Sequence, residues 1–495
     1  MSHDSRIHKL YLASQVQAID RHAIEELQIG SYKLMQKAAS FCVEKLLDHW
    51  PHIKSATIYA GAGNNAGDGF IVARLLREKG LQTEVFTLVD AERYQGDAKK
   101  AYDSLVSVGL GARYWQGQEP AGEVVIDALM GLGALGGLRP SYSQAIDSIN
   151  RSGKPVLAID LPSGLHPNTG HVAEKVVHAD VTCTFVARKQ GLYTGAAAEC
   201  VGRLYFSSLK IPEATSDAQL AMAHLATGVL LHAFRKRSRI SHKGSFGNAL
   251  LAGGDYGMAG AIVLAGQAAA RVGAGLVSVG TRAEHVANVV GAQPECMAAA
   301  VESHRDINPL LERATAIGVG PGLGQGSWGE RLLERAIAAG KPMVVDADAL
   351  NLLVMPSFSE VRPHKHWILT PHPGEAARML ACSTQDIACN RFQAAQELQA
   401  KFGGTVVLKG AGTLICDADE MWVCPLGNPG MASGGMGDVL TGIITGLLAQ
   451  KWSMSEAARL GVVVHAVAAD IASDFGERGM LASDVITQIR TAVNP

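Results

Sequence analysis

The stretch NPGMASGGMGDVLTG, residues 428–442, sets one carboxylate, Asp438, at the end of a glycine run and ahead of an apolar segment. Two chemistries fit it. Asp is a good N-cap, so the stretch reads as a tight turn into a buried helix. Alternatively, Gly434 to Gly437 let backbone N–H groups approach an anion at the N-terminus of a helix beginning near Val439, with Asp438 beside it as a base. Neighbouring motifs bear on the choice. KGAGT (409–413) follows the run TVVL and offers backbone donors with a lysine, or a plain β-turn. GPGLG (320–324) is either a second such loop or a helix start, and the Pro and Glu of TPHPGE (370–375) suit a helix start equally well. GDYGMAGA (254–261) closes a fourth β-rich run. Four strand-end loops beside a glycine turn exceed what capping accounts for, which favours Asp438 as a functional base.

A second set lies in the other half. GAGNNAGDGF (61–70) sits between a strand-like and a helix-like run, so its glycines permit close backbone approach beneath a helix N-terminus. DALMGLGALGG (127–137) and DLPSGL (160–165) each begin with Asp where another strand should end. Any one of these loops passes for an ordinary Asx turn. Together they bring Asn64, Asn65, Asp68, Asp127, Asp160 and Ser163 to the carboxyl edge of one parallel sheet, where such sheets bind ligands.

The elements that must hold these residues are legible as a rhythm. Strands are expected at 55–60, 83–88, 123–127, 155–160 and 180–186, and again at 248–254, 275–280, 315–320, 342–347, 366–370 and 405–410. Intervening segments such as FIVARLLREKG (70–80) carry helical spacing and end on glycine. That alternation is βαβ, hence α/β with a parallel sheet between helices. It lapses over the polar stretch 209–219 and the basic run RKRSRISHKG (235–244), which reads as a solvated linker. Two α/β domains are expected, 1–224 and 225–495, with no repeat linking them. The 495-residue chain has 47% apolar and 18% charged residues and a formal net charge of -2. That balance gives no sign of a nucleic-acid or membrane partner. Its 8 cysteines form no CxxC pair, and a reducing cytoplasm is the expected location.

NNAGDG, DALMGLG and DLPSG resemble the NAD(P)H-hydrate epimerase domain, over roughly residues 10–215. The commoner form of the first motif is NNGGDG, so Ala66 replaces a glycine, a change that matters only if that position needs positive φ. The resemblance implies a Rossmann-like αβα domain. Asn64, Asn65, Ala66, Gly67 and Asp68 would hold the substrate, with Gly131, Leu132, Gly133, Ala134, Leu135, Gly136, Gly137 and Tyr142. Asn65, Asp127 and Ser163 would be potassium ligands, and all three offer the oxygens a hard cation prefers. Asp160 would face the nicotinamide ring as the catalytic group.

The order GGxxxxxGA, GAGLV, GPGLG, HPGE, KGxxT and GGxGD, over about residues 235–490, is similar to the ribokinase-like NAD(P)H-hydrate dehydratases. The last motif alone is shared with sugar and vitamin kinases. The resemblance implies that Lys409, Gly410, Ala411, Gly412, Thr413 and Gly437 contact the AMP part of a nucleotide. Ala261, Gly322, His372 and Asp438 would line the hydrate site. The fusion resembles the bifunctional NAD(P)H-hydrate repair family. NADHX and NADPHX are then the substrates, ADP the co-substrate with Mg²⁺, K⁺ the cation of the first domain, and a homo-oligomer the expected assembly. The alternative is a small-molecule kinase fused to a non-catalytic nucleotide-binding module, which accumulation of a phosphorylated product would reveal.

Overall fold

The computed structural model describes residues 8–132 and 137–495. The chain divides into two compact units, Met1–His224 and Leu225–Pro495. In the first, seven parallel strands lie in the order Ala112–Tyr114, Gln82–Thr87, Ser55–Ala60, Val124–Ala128, Val156–Ile159, Val181–Phe185, Arg203–Ser207. Alternation along each strand feeds two apolar layers, as the period of two demands. Ile58, Val124 and Ile126 join the helices Ser31–His49 and Asn64–Glu78. Tyr59 and Val125 instead join Tyr142, Ile146 and Ile149 of the helix Pro140–Arg151.

The strand order reverses at Ser55–Ala60, whose neighbours are Gln82–Thr87 on one side and Val124–Ala128 on the other. A crevice opens outside the carboxyl ends at such a switch point. Gly61 is required there, because a Cβ would lie 1.8 Å from the Leu129 carbonyl oxygen. The helix begins at Asn64 rather than near Phe70, with Gly63 as its N-cap. Helical competition wins over the glycine-rich composition because Ala66, Phe70 and Ile71 bury completely on the inner face. Ala66 therefore has ordinary helical φ, and its departure from glycine costs nothing.

In the second unit the strands run Cys296–Ala300, Leu276–Thr281, Asn248–Ala252, Ala316–Val319, Met343–Val345, Trp367–Leu369, Thr405–Leu408, Thr413–Cys416, Met421–Cys424. All pair in parallel up to Thr405–Leu408, and the last two add antiparallel. Helices Ala259–Arg271, Met436–Ala449 and Met454–Ala472 share one apolar cluster with alternate strand residues such as Leu251, Ile368 and Val407. Met436–Ala449 is apolar nearly all round, as a helix sandwiched between a sheet and other helices should be. It begins at Met436, three residues before the expected Val439, because left-handed Gly435 (φ 90°) turns the chain straight into it. The basic run 235–244 is largely exposed, although Arg237 stacks 3.6 Å from the Phe246 ring centroid.

Candidate functional sites

In the first unit, a cavity of about 750 Å³ lies over the switch point. Asn64, Asn65 and Asp68 line it from the helix Asn64–Glu78, Gly131, Leu132 and Gly137 from the next loop, and Tyr142 and Asp160 from beyond. Gly133, Ala134, Leu135 and Gly136 lie outside the described residues. Ala66 and Gly67 do not line the cavity; they face inward, Gly67 against Met35 and Ala98. Asn64 and Asn65 occupy the first turn of the helix, where backbone N–H groups point outward with no intrahelical acceptor.

Beneath the cavity Asp127 and Ser163 are completely buried. Asp127 accepts bonds from Ser163 Oγ at 2.7 Å, Ser163 N at 2.8 Å and Leu129 N at 3.1 Å. Burial pushes its carboxyl up to about 6 against those three bonds. Ser163 Oγ also accepts from Met130 N, and Asn65 Nδ2 donates to Met130 O, both at 2.9 Å. One network thus joins the three residues, while Asn65 Oδ1 stays buried with no hydrogen-bond partner among the described residues. An orphaned oxygen beside a buried carboxylate costs free energy unless something positive meets it.

Asp160 adopts a left-handed conformation (φ 70°) and is held by Lys189, a residue sequence reasoning passed over. The Lys189 ammonium is 1% exposed and hydrogen-bonds to Asp160, to Thr184 Oγ1 at 2.9 Å and to the Phe185 carbonyl at 3.0 Å. All three of its donors are therefore engaged. Asp68, by contrast, is pushed well above the carboxylate range by burial and by the charges of Asp160 and Asp20. Asp20, from the helix Ala13–Glu25, also lines the cavity and is raised by burial. Neither Lys189 nor Asp20 sits in a glycine loop, so no spacing signal pointed to them.

The second unit gathers its motifs around Lys409. Its ammonium bonds Asp346 Oδ1 at 2.8 Å and lies 3.9 Å from Glu375. Burial pulls Lys409 down, but Asp346, Glu375 and Asp438 together hold it above its ordinary value. Asp346 is fully buried and also accepts from Thr370 Oγ1 (2.7 Å) and Thr441 Oγ1 (2.8 Å). Gly437 lies against this pair, since a Cβ there would sit 3.4 Å from Lys409 Nζ and 3.6 Å from Asp346 Oδ2. The GPGLG loop packs on the same aspartate, with Gly320 against the Asp346 backbone. Gly322 meets Ala261 at the other end of that loop, its Cβ position 3.3 Å from the Ala261 methyl. Asp346 was discoverable: it ends the expected strand 342–347 just as Asp127 and Asp160 end theirs.

Asp438 occupies the first turn of Met436–Ala449, and the cap is Gly435, which has no side chain. The capping reading of Asp438 therefore fails. Burial first, then Asp346 and Asp348, push its carboxyl up to about 7, with Lys409 opposing. His372 does cap. Its Nδ1 accepts from Gly374 N at 3.0 Å and Glu375 N at 3.3 Å, while Glu375 returns a bond to His372 N at 2.7 Å. The helix-start reading of HPGE is thus realised, and the remaining nitrogen, Nε2 on a half-exposed ring, lies 3.4 Å from Glu375 Oε1. Burial and Lys409 hold that ring below its ordinary value.

The KGAGT loop is braced by Arg391, which bonds the carbonyls of Leu408 and Lys409 at 3.2 Å and Gly412 at 3.5 Å. Thr413 Oγ1 bonds the Gly410 carbonyl at 2.9 Å. The loop's backbone is therefore fixed from within. His465 completes the surroundings, pushed down to about 4 by burial and then by Lys409. Its Nε2 has no partner among the described residues. Neither Arg391 nor His465 carried a motif.

Comparison with known proteins gives matches in both halves. A family described as YjeF-related protein N-terminus matches residues 31–191, and the NAD(P)H-hydrate dehydratase family matches 249–491. The bifunctional NAD(P)H-hydrate repair enzyme Nnr of Coxiella burnetii is 44% identical over 98% of this chain and 99% of its own. The Escherichia coli enzyme of the same name is 39% identical over 99% and 94%. A ribokinase-like superfamily protein from Enterococcus faecalis covers 54% of this chain and 94% of its own, at 30% identity and a TM-score of 0.50.

Proposed function

The chain belongs to the bifunctional NAD(P)H-hydrate repair enzymes, and from that premise we propose how its two units divide the work. Water added across the nicotinamide ring of NADH or NADPH gives R and S hydrates. The unit Met1–His224 interconverts them, and Leu225–Pro495 dehydrates the S form at the expense of ADP, releasing AMP and phosphate. The observation that carries this is Asp438, a carboxyl at about 7, in the first turn of a buried helix behind a glycine turn. Such a group accepts a proton near neutrality, beside N–H groups that suit a phosphoryl group.

In dehydration, Asp438 takes the hydroxyl proton as the hydrate oxygen attacks the terminal phosphorus of ADP and AMP leaves. Phosphate then departs with the C–O electron pair, and the neighbouring proton passes to water as its C–H pair restores the ring double bond. Lys409 serves the phosphates only indirectly. Its ammonium is committed to Asp346, so the nucleotide is received by the backbone of Lys409 to Thr413 and by Gly437. No group of three His, Cys, Asp or Glu residues among the described residues is arranged to hold a metal. Mg²⁺ would accompany the nucleotide phosphates and offset their charge.

In the first unit the donors fit a monovalent cation. Asn65 Oδ1 is unpaired, and the Asp127 carboxylate bonded to Ser163 has no positive partner in its network. K⁺ would supply fixed positive charge there. Asn64 and Asn65 receive the substrate phosphates at the helix N-terminus, and Asp160 faces the ring. Among the described residues no helix is long and apolar enough to cross a membrane, and all 8 cysteines are free, which supports a cytoplasmic location.

The deciding experiment gives the protein mixed hydrate epimers with ADP and follows the absorbance of reduced nicotinamide. Full recovery requires both activities. Recovery of only the S fraction removes the epimerase assignment, and a stable phosphorylated product in place of NAD(P)H removes the dehydratase assignment.

A further inference from the structure

Four carboxylates and two cations line the cavity of the first unit; Asp97 is paired with Lys100 at 2.8 Å and Arg139 is exposed, which leaves Asp20, Asp68, Asp160 and Lys189 as the inner group. One cation cannot neutralise the three anions of that inner group, so the excess negative charge is removed by protons. Lys189 hydrogen-bonds to Asp160, and Thr184 and Phe185 hold its remaining donors. The protons therefore reside on Asp68 and Asp20. Asp20 has no hydrogen-bond or ion-pair partner among the described residues, and burial raises it against the pull of Lys189. The orphaned oxygen of Asn65, a residue 8% exposed, lines the same cavity and marks it independently as a ligand site.

Asp20 reaches the cavity from the helix Ala13–Glu25, an element outside the three glycine loops. Asp68 shares its helix with Asn64 and Asn65, at the end suited to phosphates. Asp160 stands at the end of Val156–Ile159. Proton donor and proton acceptor thus come from separate walls.

We propose that Asp20 is the acid of the epimerisation, working against Asp160 as the base. The inference rests on the epimerase reading of this unit and names its second proton-transfer group. Protonated Asp20 gives its proton to the ring hydroxyl as the C–O bond breaks, and the ring-nitrogen lone pair forms a C=N⁺ bond. Water leaves. Water returns to the other face of that carbon, the C–O bond reforms as the C=N⁺ pair returns to nitrogen, and the released proton goes to Asp160. Transfer of that proton to Asp20 through the cavity water resets both groups, with no net consumption.

The charged groups around Asp20 are few. Lys189, Asp160 and Asp68 face it across the cavity. Behind its helix lie Glu213 and Asp217, with Asp217 paired to Lys9 at 2.7 Å, and Arg188 is bonded to Tyr193 at 2.6 Å. Arg21 and His22 flank it on its own helix. Deprotonation of Asp20 should therefore appear as a fall in epimerisation toward high pH.

The test measures epimerisation of pure R hydrate, without nucleotide, by wild type, Asp20→Asn, Asp20→Glu and Asp68→Asn across pH, with thermal unfolding alongside. Wild type must epimerise; if it does not, the epimerase reading itself fails. The expected result is a fall in kcat of about two orders of magnitude for Asp20→Asn, little change in KM, and no high-pH limb. Asp20→Glu should restore part of the rate and the limb. Wild-type kcat in Asp20→Asn overturns the inference, and so does a high-pH limb lost in Asp68→Asn but kept in Asp20→Asn. A loss explained by a lowered unfolding temperature, with no rescue by Asp20→Glu, overturns it as well.

Discussion

Replacing Asp438 by Asn should stabilise the protein while abolishing dehydration, and the stabilisation should grow with pH. The Asp438 carboxyl is raised from 3.8 to about 7, chiefly by burial and by Asp346. A group with a raised folded pKa binds its proton more tightly in the native state. Stability is then undiminished below pH 4 and is lost as pH climbs toward 7. The full penalty is roughly 4 kcal/mol, and solvent access to the site trims it to about 2 kcal/mol. Asparagine, neutral and nearly isosteric, escapes it. At pH 8 the transition should rise by about 4 °C or more, and at pH 4 the two proteins should melt together. Calorimetry with and without ADP identifies the relevant transition as the one ADP raises. Dehydration should fall by about three orders of magnitude, with ADP binding retained. In wild type, kcat at saturating nucleotide should rise about tenfold from pH 6 to pH 8 as the carboxyl ionises. A variant no more stable at pH 8 than at pH 4 would show that Asp438 is not strained. Undiminished turnover would show that it is not the base.

Asp160→Asn should lower epimerisation by about two orders of magnitude. It should also cost roughly 3 kcal/mol by leaving Lys189 buried and unpaired, whereas a double change with Lys189→Met should recover most of that stability; chemical denaturation of each variant checks this. Asp127→Asn should abolish any stimulation of epimerisation by K⁺, read by titrating KCl against choline chloride at constant ionic strength. Lys409→Met should destabilise the second unit by roughly 3 kcal/mol at pH 7 and lower dehydration through misplacement of Asp438, measured as a kcat loss larger than any change in ADP affinity. A fragment ending at residue 224 should fold and epimerise without nucleotide. Ending it at Pro212 should weaken it, because the helix Glu213–Asp217 packs on the helix Ala13–Glu25 and Asp217 pairs with Lys9.

The eleven expected strands all form, because buried parallel strands are near-continuous apolar runs and few alternatives suit them. Missed strands are short or exposed. Ala112–Tyr114 is an edge strand with two exposed residues, and Arg203–Ser207 is only half buried. Composition misled at the helix starts. NNAGDG and SGGMGD look like loops, yet Asn64 and Met436 already lie in helices, because the residues behind them gain more from burial than glycine loses in entropy. Within the sites, residues set in glycine loops were legible, Lys409 of KGAGT among them, and side chains that pair with or brace those loops from outside a motif were not. Lys189 and Arg391 lie in sequence with nothing to distinguish them from surface cations. What defines them is a buried partner brought from elsewhere in the chain.

That distinction explains a likeness between the two sites that no shared motif announces. Each holds one lysine among several carboxylates, Lys189 buried and Lys409 partly buried, and each commits to the carboxylate that ends a strand, Asp160 or Asp346. The pairing neutralises one charge and relieves the others only in part. Asp438 is thereby held near 7 in one unit, and Asp20 and Asp68 are raised in the other. The lysine thus sets which carboxylate keeps its proton. Removing Lys409 takes away the one charge that lowers the Asp438 carboxyl. Lys409→Met should then shift the pH limb of dehydration upward as well as lower its height. A limb left at the wild-type position would mean that the Lys409 charge does not act on Asp438.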